Sequence, residues 1–199
     1  MMAQKVQIFY DYVCPYCFIA TGMIEELRKD HDLDVEWIPF QLNEDAPEEG
    51  FKMSDQFPDV DIAKYYGELN ETIKPYGLSI IGKDHLTNTR KAHLATLYAR
   101  DHGKDQEFHL AVHKAHFTDG LNISSDEVLK KIGEEAGLNS QDMMAAVYDG
   151  RYDDRLEAAK ADSEKRAIDV VPTYFFDTIR VEGAVPIDEL KSVLESKKE

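Results

Sequence analysis

The chain of 199 residues contains only two cysteines, and they sit three positions apart as Cys14-Pro15-Tyr16-Cys17. A disulfide between such close neighbours closes almost no loop, so it would restrict the unfolded chain little and add little stability. A dithiol that opens and closes is the chemistry this spacing serves. At the start of a helix, unpaired N–H groups and the positive dipole end favour an anion, which at Cys14 means a thiolate. Cys17, one turn further in, would lie under Cys14 and be better shielded. Cys14 is then the nucleophile that captures a disulfide partner, and Cys17 displaces that partner by attacking the Cys14 sulfur; the reverse sequence delivers a disulfide. Pro15 and Tyr16 shape the loop and the surroundings of both sulfurs.

Cysteine pairs of this spacing also supply half of a zinc site, but two more ligands would be needed. The nearest spaced pair, His109 and His113, is far from Cys17 in the chain. A pair of buried apolar cysteines is the other inert alternative. His109, His113 and His116 fall on one helix face, where metal or proton chemistry is conceivable, though no metal is expected. Tyr65 and Tyr66 read as core or interface residues. No glycine-rich phosphate loop and no Ser-His-Asp arrangement is evident.

The elements that must position the pair follow from periodicity. Residues 5–10 read as a strand, and Ile19, Met23 and Leu27 with Ile24 mark one buried stripe of a helix beginning at Pro15. Leu33, Val35 and Trp37 alternate with Asp34 and Glu36 in a second strand ending near Pro39. Residues 43–61 hold seven acidic side chains and one lysine without a clean period, and are expected to form a long surface loop with a solvated face; a lid that repels acidic partners is the sharper alternative. Helical periodicity then runs over 62–76, 89–102, 106–118, 124–136 and 141–167, the last broken near Gly150. Ser124 with Glu127 fits a capping box, and Gly103, Gly120 and Gly137 fit helix stops. Residues 173–176 and 179–182 flank Asp177-Thr178 as a hairpin, and Ile187, Leu190, Val193 and Leu194 mark a closing helix. The order is β-α-β, a helical block, then β-β-α: core segments 1–42 and 169–199 around an acidic loop and helical insertion over 43–168.

Twenty-three basic against 39 acidic residues leave a net charge of −16. Such a surface repels phosphate backbones and anionic lipid, so neither nucleic acid nor membrane is an expected partner. Composition is that of an ordinary globular domain, without an apolar run of the roughly 20 residues a spanning helix needs. The opening Met1-Met2-Ala3-Gln4-Lys5 shows no signal-peptide pattern, and a cytoplasmic location is the expectation.

With the pair between a β-α-β opening and a β-β-α ending, the sequence resembles a thioredoxin-like α/β fold carrying a large all-helical insertion. That insertion is the mark of the DsbA-like group, and within it the chain is most similar to the FrnE-type branch, also called polyketide-biosynthesis dithiol-disulfide isomerases. The matching stretches are Asp11 to Cys17, Asn88 to His93, Ala115 to Ile123, Val171-Pro172-Thr173, and Glu182 to Pro186. Three positions depart from that pattern: Tyr16 stands for the usual Trp, Val170 for Gly and Val185 for Gln. The resemblance implies a protein-disulfide oxidoreductase or isomerase that exchanges disulfides with protein or low-molecular-weight thiols. It implies no resident cofactor beyond the redox-active disulfide, with glutathione a candidate co-substrate. It also implies a cis-proline loop at Val171-Pro172 that presents its backbone to the substrate, and Asn88 and His93 near the pocket. Two alternatives stand beside it. One is a glutathione-dependent transferase or isomerase of the kappa or 2-hydroxychromene-2-carboxylate isomerase type. The other is a redox-switched binding or chaperone-like module.

Overall fold

The computed structural model describes residues 3–196; Met1, Met2 and the last three positions of the 169–199 segment lie outside the described residues. Strand β1 (Gln4–Tyr10) buries Val6, Ile8, Phe9 and Tyr10, so its second half is covered on both faces. Strand β2 (Leu33–Pro39) pairs with it in parallel, from Gln4 opposite Leu33 to Tyr10 opposite Pro39. Parallel neighbours need a crossover, supplied here by helix α1 (Pro15–Leu27), whose stripe of Ile19, Met23, Ile24 and Leu27 is buried as its spacing predicts. Strand β3 (Thr173–Phe176) adds antiparallel to the other side of β1, and β4 (Ile179–Glu182) completes the order β2-β1-β3-β4. The expected hairpin turn forms, with Asp177 at a φ of 54°. This is the thioredoxin-like α/β arrangement.

Between β2 and β3 lie α2 (Met53–Gln56), α3 (Ile62–Ile73) with a short 3-10 turn at Lys74–Tyr76, α4 (Arg90–Asp101), α5 (Asp105–Phe117), α6 (Asp126–Glu135), α7 (Ser140–Tyr148) and α8 (Asp153–Lys165). Helix α9 (Ile187–Ser196) closes the described chain. The glycine stops at 103, 120 and 137, and the break at Gly150, all take left-handed φ between 64° and 79°, the conformation a helix C-cap requires. Packing joins insertion to core without a seam: Phe18 of α1 stacks on His113 and Phe117 of α5. Among the described residues no helix is long and apolar enough to cross a membrane.

One sequence expectation is corrected and another refined. Ser124 does not cap α6; Ser125 occupies that position, while the buried Ser124 hydroxyl binds Asn122 Oδ1 and the Glu48 carbonyl. The 43–61 segment is the mostly exposed surface loop its sequence predicts, but it is pinned at several points. It contains α2, buries Ala46 and Met53, and pairs Phe51 with Leu86 in a two-way backbone bridge of 2.8 Å bonds. Its pins come from motif residues far along the chain. Asn88 Nδ2 donates to the Ala46 carbonyl at 2.6 Å, Asn122 Nδ2 to the Glu48 carbonyl at 3.3 Å, and Lys91 pairs with the Glu48 carboxylate at 3.1 Å.

Candidate active site

Cys14 is the N-cap of α1 and Pro15 follows in its first turn, where a missing N–H costs nothing. The Cys14 N–H donates to the Asp11 carbonyl at 3.1 Å, and its own carbonyl accepts from Cys17 N–H at 3.0 Å, so the turn is held on both sides. No first-turn N–H binds the sulfur in this thiol form; Cys14 Sγ instead donates to the Val171 carbonyl at 3.4 Å. Val171-Pro172 is cis, and its loop is braced from both ends. Thr173 Oγ1 donates to the Val170 carbonyl at 2.6 Å, and Gly183 N–H to the Pro172 carbonyl at 2.7 Å. That second bond gives the Glu182-to-Pro186 stretch a physical role, with Gly183 at a φ of 75° making the turn that aims its N–H.

Cys17 is wholly buried and its thiol neighbours that of Cys14. Burial pushes the Cys17 thiol well above its ordinary value, and the adjacent Cys14 adds to the rise. Cys14 keeps 5 % of its surface and opens onto a cavity of about 500 Å3. The two sulfurs therefore differ in access, the outer one able to meet a partner and the inner one able to meet only its neighbour. Tyr16 between them is partly exposed at the cavity edge. Tyr65 of α3, read from sequence as packing, faces the same cavity; burial and then the Tyr16 hydroxyl raise its phenol. Tyr174 lies beneath the pair, its phenol raised chiefly by complete burial and further by both cysteines.

Beneath this layer sits a residue that sequence reasoning missed. Asp11 is fully buried; its Oδ1 lies 3.0 Å from His93 Nε2 and its Oδ2 accepts the Leu42 N–H at 2.8 Å. One carboxylate thus ties the Cys14 turn to α4 on one side and to the cavity wall on the other. The available signal was its place inside the Asp11-to-Cys17 stretch, three positions before the first cysteine.

The structure brings Cys14, Cys17, Pro15, Tyr16, Val171 and Pro172 together, but not all the expected pocket residues. Asn88 and His93 do not line the cavity. Asn88 is spent on Ala46 and on the Arg90 N–H, and His93 is fully buried against Asp11. Both act one layer behind, as supports. His109, His113 and His116 are buried among aromatic rings, with His109 stacked on Trp37 at 3.9 Å. Burial is the main cause that holds His109 well below its ordinary value, His113 at about 3 and His116 at about 4, so all three are neutral. Thr21 connects this layer to the centre, donating to the Cys17 carbonyl at 3.0 Å and bonding His109 Nε2 at 3.0 Å. Among the described residues no group of three or more His, Cys, Asp or Glu is placed to hold a metal ion.

Comparison with known proteins agrees with this geometry. A curated relative, the uncharacterized protein YwbO of Bacillus subtilis (strain 168), is 27% identical over 201 residues, covering 97% of this chain and 96% of its own. The crystal structure of a probable DsbA oxidoreductase, SCO1869 from Streptomyces coelicolor, superposes with a TM-score of 0.87 at 20% identity, covering 96% of this chain and 88% of that one. A 2-hydroxychromene-2-carboxylate isomerase superposes with a TM-score of 0.80 at 15% identity, covering 96% and 95%. Both superpositions concern the fold. The model of the DsbA-like thioredoxin domain matches residues 5–195, nearly the whole chain, and the chain belongs to that family.

Proposed function

We propose that this protein is a thiol-disulfide oxidoreductase whose working parts are Cys14 and Cys17. The observation that carries the proposal is the unequal pair: Cys14 at a helix N-terminus and lining an open cavity, beside a wholly buried Cys17 thiol. Cys14 thiolate attacks one sulfur of a partner disulfide, a mixed disulfide forms and the first partner thiolate leaves. Cys17 thiolate then attacks Cys14 Sγ, the second partner sulfur departs and the protein disulfide closes. Run backwards, the same steps oxidise a dithiol. The Val171 carbonyl, braced at 2.7 Å through Pro172 and Gly183, supplies a fixed edge beside the reacting sulfur.

The redox equivalents reside on the two sulfurs, so the proposal calls for no other cofactor. The order of the matched stretches supports an FrnE-type assignment within the family. A cytoplasmic setting is part of the same reading, supported by the use of both cysteines in the exchanging pair. A glutathione-dependent isomerase would need one thiol or hydroxyl and leaves Cys17 without work; the neighbouring of the two thiols favours exchange.

Replacing Cys17 by Ser separates these readings. Exchange should stall as a mixed disulfide on Cys14, visible as an adduct in the intact mass, and Cys14→Ser should form none. Full turnover by Cys17→Ser at the wild-type rate would overturn the proposal.

A further inference from the structure

We propose that the cavity in front of Cys14 receives a low-molecular-weight disulfide or thiol whose carrier is apolar and free of negative charge, and that it discriminates against glutathione. This rests on the exchanging pair described above and names its substrate class. The volume, about 500 Å3, lies within the range of small-molecule sites. Leu42, Phe51, Met53, Phe57, Val60 and Leu86 give its wall an apolar character. Leu42 is 51 % exposed and Phe57 47 %, so apolar surface stands open that a bound carrier would cover.

Among the described residues, no lysine, arginine or histidine lines the cavity. Glutathione brings two carboxylates per sulfur, and a carboxylate taken from water without a cationic partner is costly. The segment that supplies much of this lining, residues 43–61, holds seven acidic side chains against one lysine, so the field around the cavity is negative. The cations nearest in sequence are engaged outside the cavity, Lys52 beside Asp84 and Lys64 at 4.0 Å from Glu68. The polar groups that remain, Asn43, Gln56, Thr87 and tyrosine hydroxyls, are too few to serve a stretch of peptide, which needs a donor and an acceptor for every residue it buries. A compact apolar carrier has no such demand.

For a substrate R–S–S–R, Cys14 thiolate forms the Cys14–S–R bond and releases R–S−, which takes up a proton from water. Cys17 then closes the Cys14–Cys17 bond and releases the second R–S−, on which the Cys17 proton ends. Two electrons pass from the protein dithiol to the substrate, and two R–SH result.

Three disulfides of graded charge test this on the reduced protein: neutral 2,2′-dithiodipyridine, its dicarboxylate counterpart 5,5′-dithiobis(2-nitrobenzoate), and oxidised glutathione. Each rate is divided by that of the same probe with dithiothreitol at the same pH, which removes intrinsic reactivity. The neutral probe should exceed both anionic ones by at least about tenfold after this division. Val60→Lys, at an exposed wall position, should narrow the gap by about fivefold or more by raising the anionic rates. Equal normalised rates for the three probes, or a gap untouched by Val60→Lys, would overturn the inference while leaving the exchange chemistry standing. A faster normalised rate for the disulfide of N-acetyl-Phe-Cys-Leu amide than for dithiodipyridine would also overturn it, by assigning the cavity to peptides. Failure of the exchange reading looks different: no probe would then join Cys14 to Cys17.

Discussion

Asp11 holds the buried His93 ring and the Leu42 N–H at once, and removing it tests whether the turn before Cys14 is a support or a bystander. In Asp11→Ala the His93 Nε2 and the Leu42 N–H both lose their acceptor inside the protein. Each such loss costs about 1–3 kcal/mol, so a destabilisation of about 2–5 kcal/mol is expected in urea titrations. A shift within the scatter of the titration would contradict the support role. Cys17 gives a second test. Its thiol is raised chiefly by burial, which persists while Cys14 carries a partner, so resolution of the mixed disulfide must wait for a scarce thiolate. The resolution rate should climb about tenfold per pH unit from 7 to beyond 9 in quenched-flow mass spectrometry, and a plateau below pH 8 would contradict it. At this scale the sequence showed the cysteines through their spacing, and Val171-Pro172 only through resemblance. Nothing in it separated Asp11 from 38 other acids, because which carboxylate ends up buried is decided by the fold.

Helix α1 meets the Lys74–Tyr76 turn at Gly22. A Cβ at Gly22 would stand 2.8 Å from Tyr76 Cβ, an atom too near its own backbone to swing away. Alanine gains about 1 kcal/mol in helix propensity there, but overpacking costs about 1–3 kcal/mol, so Gly22→Ala should be neutral to about 2 kcal/mol destabilised and should never stabilise. A raised denaturation midpoint would show that α1 and the Lys74–Tyr76 turn are not in firm contact. Elements with a sustained period were legible: α1, α4, α5, the strands and the glycine stops lie where apolar spacing and left-handed positions put them. The pinned structure within the 43–61 loop was not. Its apolar residues face a cavity rather than a flat core, so they follow no period, and α2 with four residues is too short to display one. Ser124 and Asn88 were misjudged for the same reason, since each serves a loop distant in sequence.

Across the whole molecule, the buried histidines set the response to acid. His113 at about 3 and His116 at about 4 lie below the value near 6.5 of an unfolded histidine, and His109 is lowered too. Between those limits the unfolded chain binds more protons, so stability is complete at neutral pH and falls as pH drops through 6.5 towards 4. His113 and His116 should each contribute a loss of roughly 3–5 kcal/mol once the pH is below its folded value. Midpoints of urea unfolding at pH 7.5, 6, 5 and 4 would show this, and His116→Phe, which keeps an aromatic ring beside Phe117, should flatten the slope. A midpoint constant from pH 7 to 4.5 would contradict it. The pattern reads as packing chemistry rather than catalysis.

The claim on which the rest depends is that Cys14 and Cys17 interconvert between dithiol and disulfide. Equilibrating the protein across a series of reduced to oxidised dithiothreitol ratios, quenching in acid, alkylating and weighing it intact measures this directly. One two-electron transition is expected, with both sulfurs alkylated on the reducing side and neither on the oxidising side. A protein whose two sulfurs remain alkylatable at every ratio would contradict the account.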